Sequence, residues 1–331
     1  MDYLKKMPAS EVNQYLPTEY AFICCASFER RCCTLPFAVD AHRINRAYVI
    51  RNIDGTMEAQ NEDNFQKICK KLSKATSRSL HFDDSLNVME ELQEIVQELV
   101  IKQEKALVVD ISTFTHEALL IFLKILESSR THFESISLVY NGASEYASWL
   151  SKGCKEVRNV IGYPGIFNPA KKYHLVILTG FEWERATRLV DLLEPDIVSI
   201  GTGKEPTDVK HQKTMETFEK EFRDWLGNMQ GVPHDQFSFS CSDITSTIDT
   251  LRKIYEKCPT DNFIFVPLNT KLSTIALALV ALSNPSIQVC YPIPEIYNTS
   301  YSEASENATI VDLLKIDELS EESSRLLGER T

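Results

Sequence analysis

Hydroxyl-bearing side chains are concentrated at two points where a short apolar run is followed by a helical pattern. The first point follows residues 106–109 and the second follows residues 262–266. In an open parallel sheet such points lie at the carboxyl ends of strands, where ligands bind. Hydroxyls and free helix N–H groups suit phosphate or ribose oxygens, and a lysine adds positive charge. The candidate ligand-binding residues here are Ser112, Thr113, Thr115, His116, Asn269, Thr270, Lys271 and Ser273. Helix capping by Thr115 and Ser273 is the alternative, but one cap explains only one of several hydroxyls.

Two further candidates are arginines one turn inside a predicted first helix. Residues 27–31 read Ser-Phe-Glu-Arg-Arg, and residues 180–185 read Gly-Phe-Glu-Trp-Glu-Arg, each after an apolar run. An arginine near a helix N-terminus can hold a phosphate against the free N–H groups. The candidate ligand-binding residues of these two turns are Ser27, Arg31, Gly180 and Arg185. The alternative is a capping serine with a stapling phenylalanine and a solvated arginine.

A third kind of candidate is the Gly-Thr-Gly-Lys turn at residues 201–204, which also follows an apolar run and adds Thr202 to the ligand-binding candidates. It matches neither the Walker pattern nor the dinucleotide fingerprint. Of the seven histidines only His116 falls in a predicted ligand loop, and spacing supports no catalytic triad. No catalytic residue, metal site or cofactor is therefore assigned, and the nine cysteines are interpreted as reduced thiols without zinc-site spacing.

Charge and hydropathy exclude several classes of partner. The net charge of −12 argues against general binding to duplex nucleic acid, which needs a basic face. The apolar runs are far shorter than the roughly 20 residues of a membrane-spanning helix, and the N-terminus has no secretory signal pattern. We expect a cytoplasmic protein without a membrane partner.

Alternation of apolar strands and amphipathic helices predicts an α/β protein with parallel sheets and helices on both faces. The second half repeats the order of the first at an offset near 150 residues. The repeat includes the Phe-Glu turns at 28–29 and 181–182, and tyrosine pairs at 140 and 146 and at 291 and 297. The sequence therefore predicts two tandem Rossmann-like domains related by internal duplication, residues 1–168 and 169–331.

The segment from Phe263 to Leu282, with Asn269-Thr270-Lys271 at its strand end, resembles the ligand loop of CARF domains. These are Rossmann-like sensors of cyclic oligonucleotides in prokaryotic antiviral defence, and two fused units resemble the SAVED arrangement. This sequence lacks the glycine pair before Thr270 and has Thr113-Phe114 where the loop usually has Thr-Lys. The resemblance implies recognition of a cyclic or linear oligonucleotide second messenger.

The leading functional hypothesis is a sensor or regulatory subunit that binds a nucleotide-type anion between its two halves. Since the two halves occupy nearly the whole chain, the effector is expected to be a separate protein. The alternative is an enzyme acting on a nucleotide or sugar phosphate, such as a phosphodiesterase, a ring nuclease or a transferase.

Overall fold

The computed structural model describes residues 3–53, 57–73, 75–205, 209–228 and 232–319. They form two compact units, one of Met1–Tyr146 with Thr299–Thr331 and one of Ala147–Asn298. No helix in these described ranges is long and apolar enough to cross a lipid bilayer.

The strands are, in chain order, β1 (Leu4–Pro8), β2 (Tyr20–Ala26), β3 (Ile44–Asn52), β4 (Ala75–Leu80), β5 (Ala106–Asp110), β6 (Ser135–Tyr146), β7 (Ser151–Lys152), β8 (Glu156–Pro164), β9 (Tyr173–Thr179), β10 (Ile197–Lys204), β11 (His234–Ser240), β12 (Asn262–Pro267), β13 (Gln288–Ile293), β14 (Ile296–Tyr297) and β15 (Ser302–Asp312). The helices are α1 (Thr34–Ala38), α2 (Glu58–Lys71), α3 (Ser85–Ile101), α4 (His116–Ser129), α5 (Trp183–Leu193), α6 (Val209–Asn228), α7 (Ile244–Lys257) and α8 (Lys271–Ser283). Short 3-10 helices occur at Ala9–Gln14, Arg30–Cys33, Ala41–Arg43 and Arg130–His132.

The two sheets have the same strand order. In the first unit the order is β4-β3-β2-β5-β6-β15-β1, and the neighbours from β4 to β6 are parallel. In the second unit the order is β11-β10-β9-β12-β13-β8, and the neighbours from β11 to β13 are parallel. Numbered within each unit, the parallel strands follow the order 3-2-1-4-5 of a Rossmann-like half. The predicted α/β fold is confirmed, whereas common descent of the two units stays a hypothesis.

Helices cover both faces of the first sheet. Every position of β2 is buried, and successive side chains of a strand point to opposite faces. Tyr20 and Phe22 pack in one core cluster with Leu35 of α1 and Ile68 of α2. Ile23, on the other face, is equally buried. Apolar side chains on both faces explain why the strand sequence is continuously apolar rather than alternating.

Antiparallel strands complete each sheet, namely β15 and β1 in the first sheet and β8 in the second. After β6 the chain forms β8, which pairs with β13 in the second sheet. After β13 it returns as β15, which pairs with β6 in the first sheet. The units are therefore divided at 146–147 and 298–299, not at the expected break between residues 168 and 169. The expected break follows β8, a strand that is already paired in the second sheet.

A buried ion pair lies at the carboxyl end of β2 in the first unit. The Nε of Arg31 lies 2.8 Å from Oε2 of Glu29, and its Nη1 donates to the carbonyl of Asn141 at 3.3 Å. The hydroxyl of Ser302, on β15, donates to the same carboxylate at 2.5 Å. Burial works to lower the pKa of Arg31, but Glu29 and then Tyr140 act in the opposite direction, and the net pKa is raised. The guanidinium therefore stays charged in the interior.

The second unit has the same arrangement. Arg185 pairs with Glu182 and donates to the carbonyl of Pro292, and its guanidinium lies 5.0 Å from the ring centre of Tyr291. Ser151 of β7 donates to Glu182, as Ser302 does to Glu29. Burial is the main cause that raises the pKa of Tyr297 well above its ordinary value, and the same holds for Tyr146 in the first unit. The repeated tyrosines of the sequence thus belong to the surroundings of these ion pairs.

Replacing Arg31 with alanine leaves Glu29 buried without its counter-charge. We expect the free energy of unfolding of the first unit to fall by about 3–5 kcal/mol, the usual result of removing one partner of a buried pair. The neighbouring Arg30 is exposed, so Arg30→Ala is the matched control and should change stability by less than about 0.5 kcal/mol. Chemical denaturation measures both. Equal stability of the two variants would contradict a structural role for the pair.

Candidate functional site

A cavity of about 400 Å³ opens in the first unit at the carboxyl end of β2. It is lined by Phe28, Arg30, Cys33, Phe37, Gln60, Asp63, Asn64 and Lys67. The first four residues belong to the segment between β2 and the end of α1, and the other four belong to α2. Both the place and the volume are typical of small-molecule sites in open parallel sheets.

Helix α2 presents one polar face to this cavity. Its four lining residues occur at i, i+3, i+4 and i+7, which is the spacing of one helix face. Phe65 and Ile68, on the other side of the helix, are buried in the core of the unit. Asn64 also donates to the carbonyl of Ser27 at 2.8 Å, which joins the helix to the turn after β2. The cavity wall is thus fixed by core packing and by a buried hydrogen bond.

Two cations lie at the cavity. Lys67 donates to Asp63 at 2.6 Å on the surface, and this hydrogen bond is the largest influence that raises the pKa of Lys67. Arg30 acts in the opposite direction and lowers the pKa of Lys67, as a nearby like charge does. A negatively charged ligand would relieve that repulsion, so this part of the cavity suits an anion.

Two aromatic rings complete the lining. The side chain of Phe37 is 49% exposed, which is unusual for a phenylalanine. Phe28 is half-buried and meets Tyr301 edge to face, with ring centres 6.2 Å apart. Aromatic faces next to cations can stack a planar ring while its anionic group is neutralised.

Cys33 adds a thiol to the cavity. Its Sγ lies 3.9 Å from Sγ of Cys32 and 3.8 Å from Oδ1 of Asn64. The hydrogen bond with Cys32 lowers the pKa of Cys33, and Lys67 contributes in the same direction against the effect of burial. The pKa of the buried Cys32 is raised well above its ordinary value by that same hydrogen bond and by burial. Of the two neighbouring thiols, Cys33 is the one that ionises first.

Several residues predicted to bind ligand in the first unit have partners inside the protein. Arg31 is held in the buried ion pair, so the arginine at the cavity is its neighbour Arg30. The hydroxyl of Ser27 accepts from the N–H of Glu29 at 3.4 Å, as expected for local capping. The 3-10 turn at Arg30–Cys33 directs Arg31 inward and leaves Arg30 exposed, which the spacing of the residues does not determine.

The hydroxyl loop after β5 is also internally bonded. Ser112 donates its hydroxyl to Asp110 at 2.5 Å and accepts from the N–H of Asn141 at 2.9 Å. Thr113 donates to the carbonyl of Cys25 at 2.7 Å, and Thr115 caps α4 by accepting from the N–H of Ala118. His116 is the half-buried first residue of α4. The three hydroxyls therefore tie the loop to neighbouring strands and to its own helix.

The corresponding loop of the second unit follows the same principle. Asn269 donates to the carbonyl of Thr179 at 2.6 Å, and Thr270 donates to the carbonyl of Cys241 at 3.0 Å. Thr270 is also the N-cap of α8, whereas Ser273 returns its hydroxyl to the carbonyl of Thr270. Lys271 is the half-buried first residue of α8. Hydrogen bonds to β9, to the turn after β11 and within α8 therefore occupy the polar side chains that one helix cap alone would leave over.

The glycines singled out by sequence have packing roles. A Cβ on Gly180 would lie 2.1 Å from the carbonyl oxygen of Leu268, and one on Gly203 would lie 2.5 Å from Sγ of Cys241. Residues 201–204 continue β10 instead of forming the expected loop. Glycine is required at both positions because neighbouring residues lie close to the glycine backbone. The space beside Gly203 is therefore filled by protein atoms.

Thr202 lines a second cavity, of about 410 Å³, along β10, β11 and α6. Its lining residues are Thr202, Lys204, Glu216, Glu219, Lys220, Arg223, Gln236, Phe237 and Ser238. Lys204 pairs with Glu216 and Arg223 pairs with Glu219, both at 3.0 Å. Two of its three cations are thus paired with carboxylates, as Lys67 is paired with Asp63 in the first cavity.

None of the eight residues that line the first cavity was a ligand-binding candidate in the sequence analysis, and Arg30, Cys33, Phe37 and Lys67 are the most important of those it missed. The signal that could have found Lys67 was the polar face of α2, where four polar residues share one helical stripe. No local pattern marked Phe37, because a phenylalanine in an apolar helix normally indicates a core position.

Asp110 provides a pH-dependent contribution to stability. Burial raises the pKa of Asp110 to about 6, against the hydrogen bonds from Ser112 that lower it. A raised carboxylate pKa means that folding favours the protonated form, so this contribution is present below the unfolded pKa and is lost as pH rises through about 6. We expect Asp110→Asn to raise the free energy of unfolding at pH 7.5 by roughly 2–3 kcal/mol and to change it little at pH 3.5. Denaturation at the two pH values measures the difference, and an equal effect at both would contradict it.

Cys33 should be the first thiol to be alkylated near neutral pH, because its pKa is lowered and its side chain is accessible. Iodoacetamide kinetics with peptide mapping should show a fast phase that Cys33→Ser removes. Cys69→Ser is the matched control, since Cys69 is also half-buried but burial raises its pKa. Lys67→Ala should slow the fast phase. A fast phase that survives Cys33→Ser would assign the reactive thiol elsewhere.

No protein-family model matches the chain, and a comparison with curated proteins finds no match. Similar solved structures include an ABC transporter solute-binding protein from Burkholderia graminis in complex with D-arabinose, at 10% identity over 75% of this chain and 73% of that chain, with a TM-score of 0.26. They also include a periplasmic solute-binding protein from Actinobacillus succinogenes with bound D-allose, at 14% identity over 74% and 76%, with a TM-score of 0.26. AtPrR2, with NADP+ and (+)-pinoresinol, aligns at 10% identity over 74% and 91%, with a TM-score of 0.27. Likenesses at these scores carry no argument about function.

Proposed function

We propose that the first unit binds a nucleotide-type anion in the cavity between the β2–α1 segment and α2. The observation that carries this proposal is the composition of one cavity of about 400 Å³. Its lining combines two neighbouring cations, Arg30 and Lys67, with two accessible aromatic rings. The cations suit a phosphate and the rings suit a base.

Other lining groups agree with a nucleotide. Gln60 and Asn64 carry amide groups that can read a base edge or a ribose hydroxyl, and Asp63 can accept from a hydroxyl. Asp63 opposes only one of the two cations, since it is hydrogen-bonded to Lys67. Arg30 is therefore assigned to the phosphate and Phe37 to the ring.

The proposed role is that of a ligand-sensing or regulatory subunit that acts on a separate effector. A cyclic oligonucleotide is included among the ligands because of the resemblance to CARF and SAVED sensors, and the cavity would then hold one of its nucleotides.

The binding test is calorimetric titration of the full chain with a panel of adenosine, inorganic phosphate, mononucleotides and cyclic oligonucleotides. We expect a phosphorylated nucleoside to bind more tightly than either adenosine or phosphate alone. Arg30→Ala should weaken binding by about 10- to 100-fold, the equivalent of a lost charge-assisted hydrogen bond. Phe37→Ala should weaken nucleotides but not phosphate.

The matched control is Lys70→Ala, which removes an exposed cation from α2 outside the cavity and should leave affinity unchanged. Lys271→Ala tests the loop that the sequence analysis favoured. Loss of binding in Lys271→Ala with full binding in Arg30→Ala would move the site to the second unit. A wild-type chain that binds no member of the panel would remove the proposal.

The enzymatic alternative rests on Cys33, whose thiol lines the cavity with a lowered pKa and is a potential nucleophile. Incubation of the same panel with the chain, followed by chromatography, distinguishes the alternatives. A sensor returns the ligand intact. Turnover by the wild-type chain that is lost in Cys33→Ser would favour the enzyme.

A further inference from the structure

A cluster of potential metal ligands lies in the second unit, at the end of the sheet opposite to the loops discussed above. His174 is near the start of β9, and Cys258 and Asp261 lie between α7 and β12. One ligand atom from each residue lies within 4.8 Å of the others. The amino ends of the parallel strands lie at this end of the sheet.

Local structure brings the three side chains together. The N–H of Asp261 donates to the carbonyl of Cys258 at 3.0 Å, which closes a tight turn directly before β12. Parallel pairing of β12 with β9 then places Phe263 beside His174. The rings of Phe263 and His174 stack at 4.7 Å with an angle of 26° between their planes. The imidazole plane is therefore fixed by packing.

The hydrogen bonds on the far side of the ring determine which nitrogen carries the proton. Nε2 of His174 lies 2.7 Å from Oγ of Ser199. The single hydroxyl hydrogen of Ser199 is donated to the carboxylate of Asp235, which accepts only. Ser199 therefore accepts from His174, and Nε2 is the protonated nitrogen.

The other nitrogen, Nδ1, then presents a lone pair towards acceptors. It lies 3.4 Å from Oδ2 of Asp261, and it is buried without a hydrogen-bond partner among the described residues. The side chain of His174 is only 4% exposed. Two buried acceptors that face each other repel unless a cation lies between them.

We infer that His174, Cys258 and Asp261 bind a zinc ion through Nδ1, Sγ and a carboxylate oxygen. One imidazole, one thiolate and one carboxylate form a donor set that Zn²⁺ accepts, whereas Mg²⁺ and Ca²⁺ prefer oxygen alone. The Ser199–Asp235 pair acts as the outer support that zinc-bound histidines usually have, since it fixes the tautomer and the ring orientation. The ion would join the end of α7 to the start of β9. This site is in the second unit and is independent of the proposed nucleotide cavity.

The inference is tested with chelator-treated full-length chain, using Zn²⁺ in a competition titration and Co²⁺ as the spectroscopic probe. We expect one equivalent of metal to bind and Co²⁺ to give a thiolate charge-transfer absorption. Cys258→Ser should abolish that absorption. Cys154→Ser is the matched control, because Cys154 is a half-buried cysteine of the same unit outside the cluster.

The outer support gives a second variant that leaves all three ligands in place. Ser199→Ala should weaken Zn²⁺ binding by about 10- to 100-fold without removing the Co²⁺ absorption. A merely structural serine would alter stability and leave the affinity unchanged, which would argue against the assigned tautomer.

A measurement on the wild-type chain covers the case in which Cys258→Ser does not fold. Bound Zn²⁺ should protect Cys258 from iodoacetamide while Cys33 remains reactive, as mapped by peptide mass. Equal alkylation of Cys258 with and without Zn²⁺ would overturn the inference, and so would an absence of stoichiometric binding. A proton on Nδ1 of the metal-free chain that Zn²⁺ does not displace would identify the proton as the cation instead.

Discussion

The buried arginine–glutamate pair is the constraint on which each unit depends. A guanidinium can stay charged in the interior only if its donors find acceptors, and Arg31 finds them in Glu29 and in the carbonyl of Asn141 at the middle of β6. Ser302 of β15 donates a further hydrogen bond to Glu29, and β15 follows the whole second unit in the sequence. The ion pair thus links the first turn of the unit to its last strand, whereas the pair of Arg185 and Glu182 is linked through Ser151 to β7, near the start of the second unit.

This arrangement explains why the sequence revealed the fold but not the division of the chain. Continuous apolar runs such as β2 and β12 are buried on both faces, so their pattern identified parallel strands and their order. The strand β15 has no such pattern, because its first six residues are all polar or small and four of its eleven positions are exposed. Its place is set by pairing with β6, a contact between positions about 160 residues apart that no local periodicity encodes.

The candidate site was predictable in place and not in composition. The sequence indicated the carboxyl ends of the strands, where the cavity lies. The hydroxyls that it indicated, however, form hydrogen bonds within the protein. Thr113 donates to a carbonyl of the neighbouring strand β2, and Thr270 donates to the carbonyl of Cys241 directly after β11, because backbone groups at strand ends no longer pair in the ladder and need other partners. Which of the adjacent residues Arg30 and Arg31 enters the core depends on one 3-10 turn, and spacing alone does not determine it.

The same strand order supports different surfaces in the two units. In the first unit the space between the β2 turn and α2 is an open cavity with cations. In the second unit the corresponding turn carries Phe181, whose ring packs edge to face on His211 and Phe218 of α6. In the second unit, aromatic side chains of α6 therefore pack against this turn. In the first unit, α2 presents the polar side chains of Asp63 and Lys67 instead. Because the framework of the ion pair is kept in both units while this wall differs, the difference is not required by the fold. A wall that is free to vary in this way is where recognition of a ligand can be specialised, which is the reason to assign the anion to the first unit.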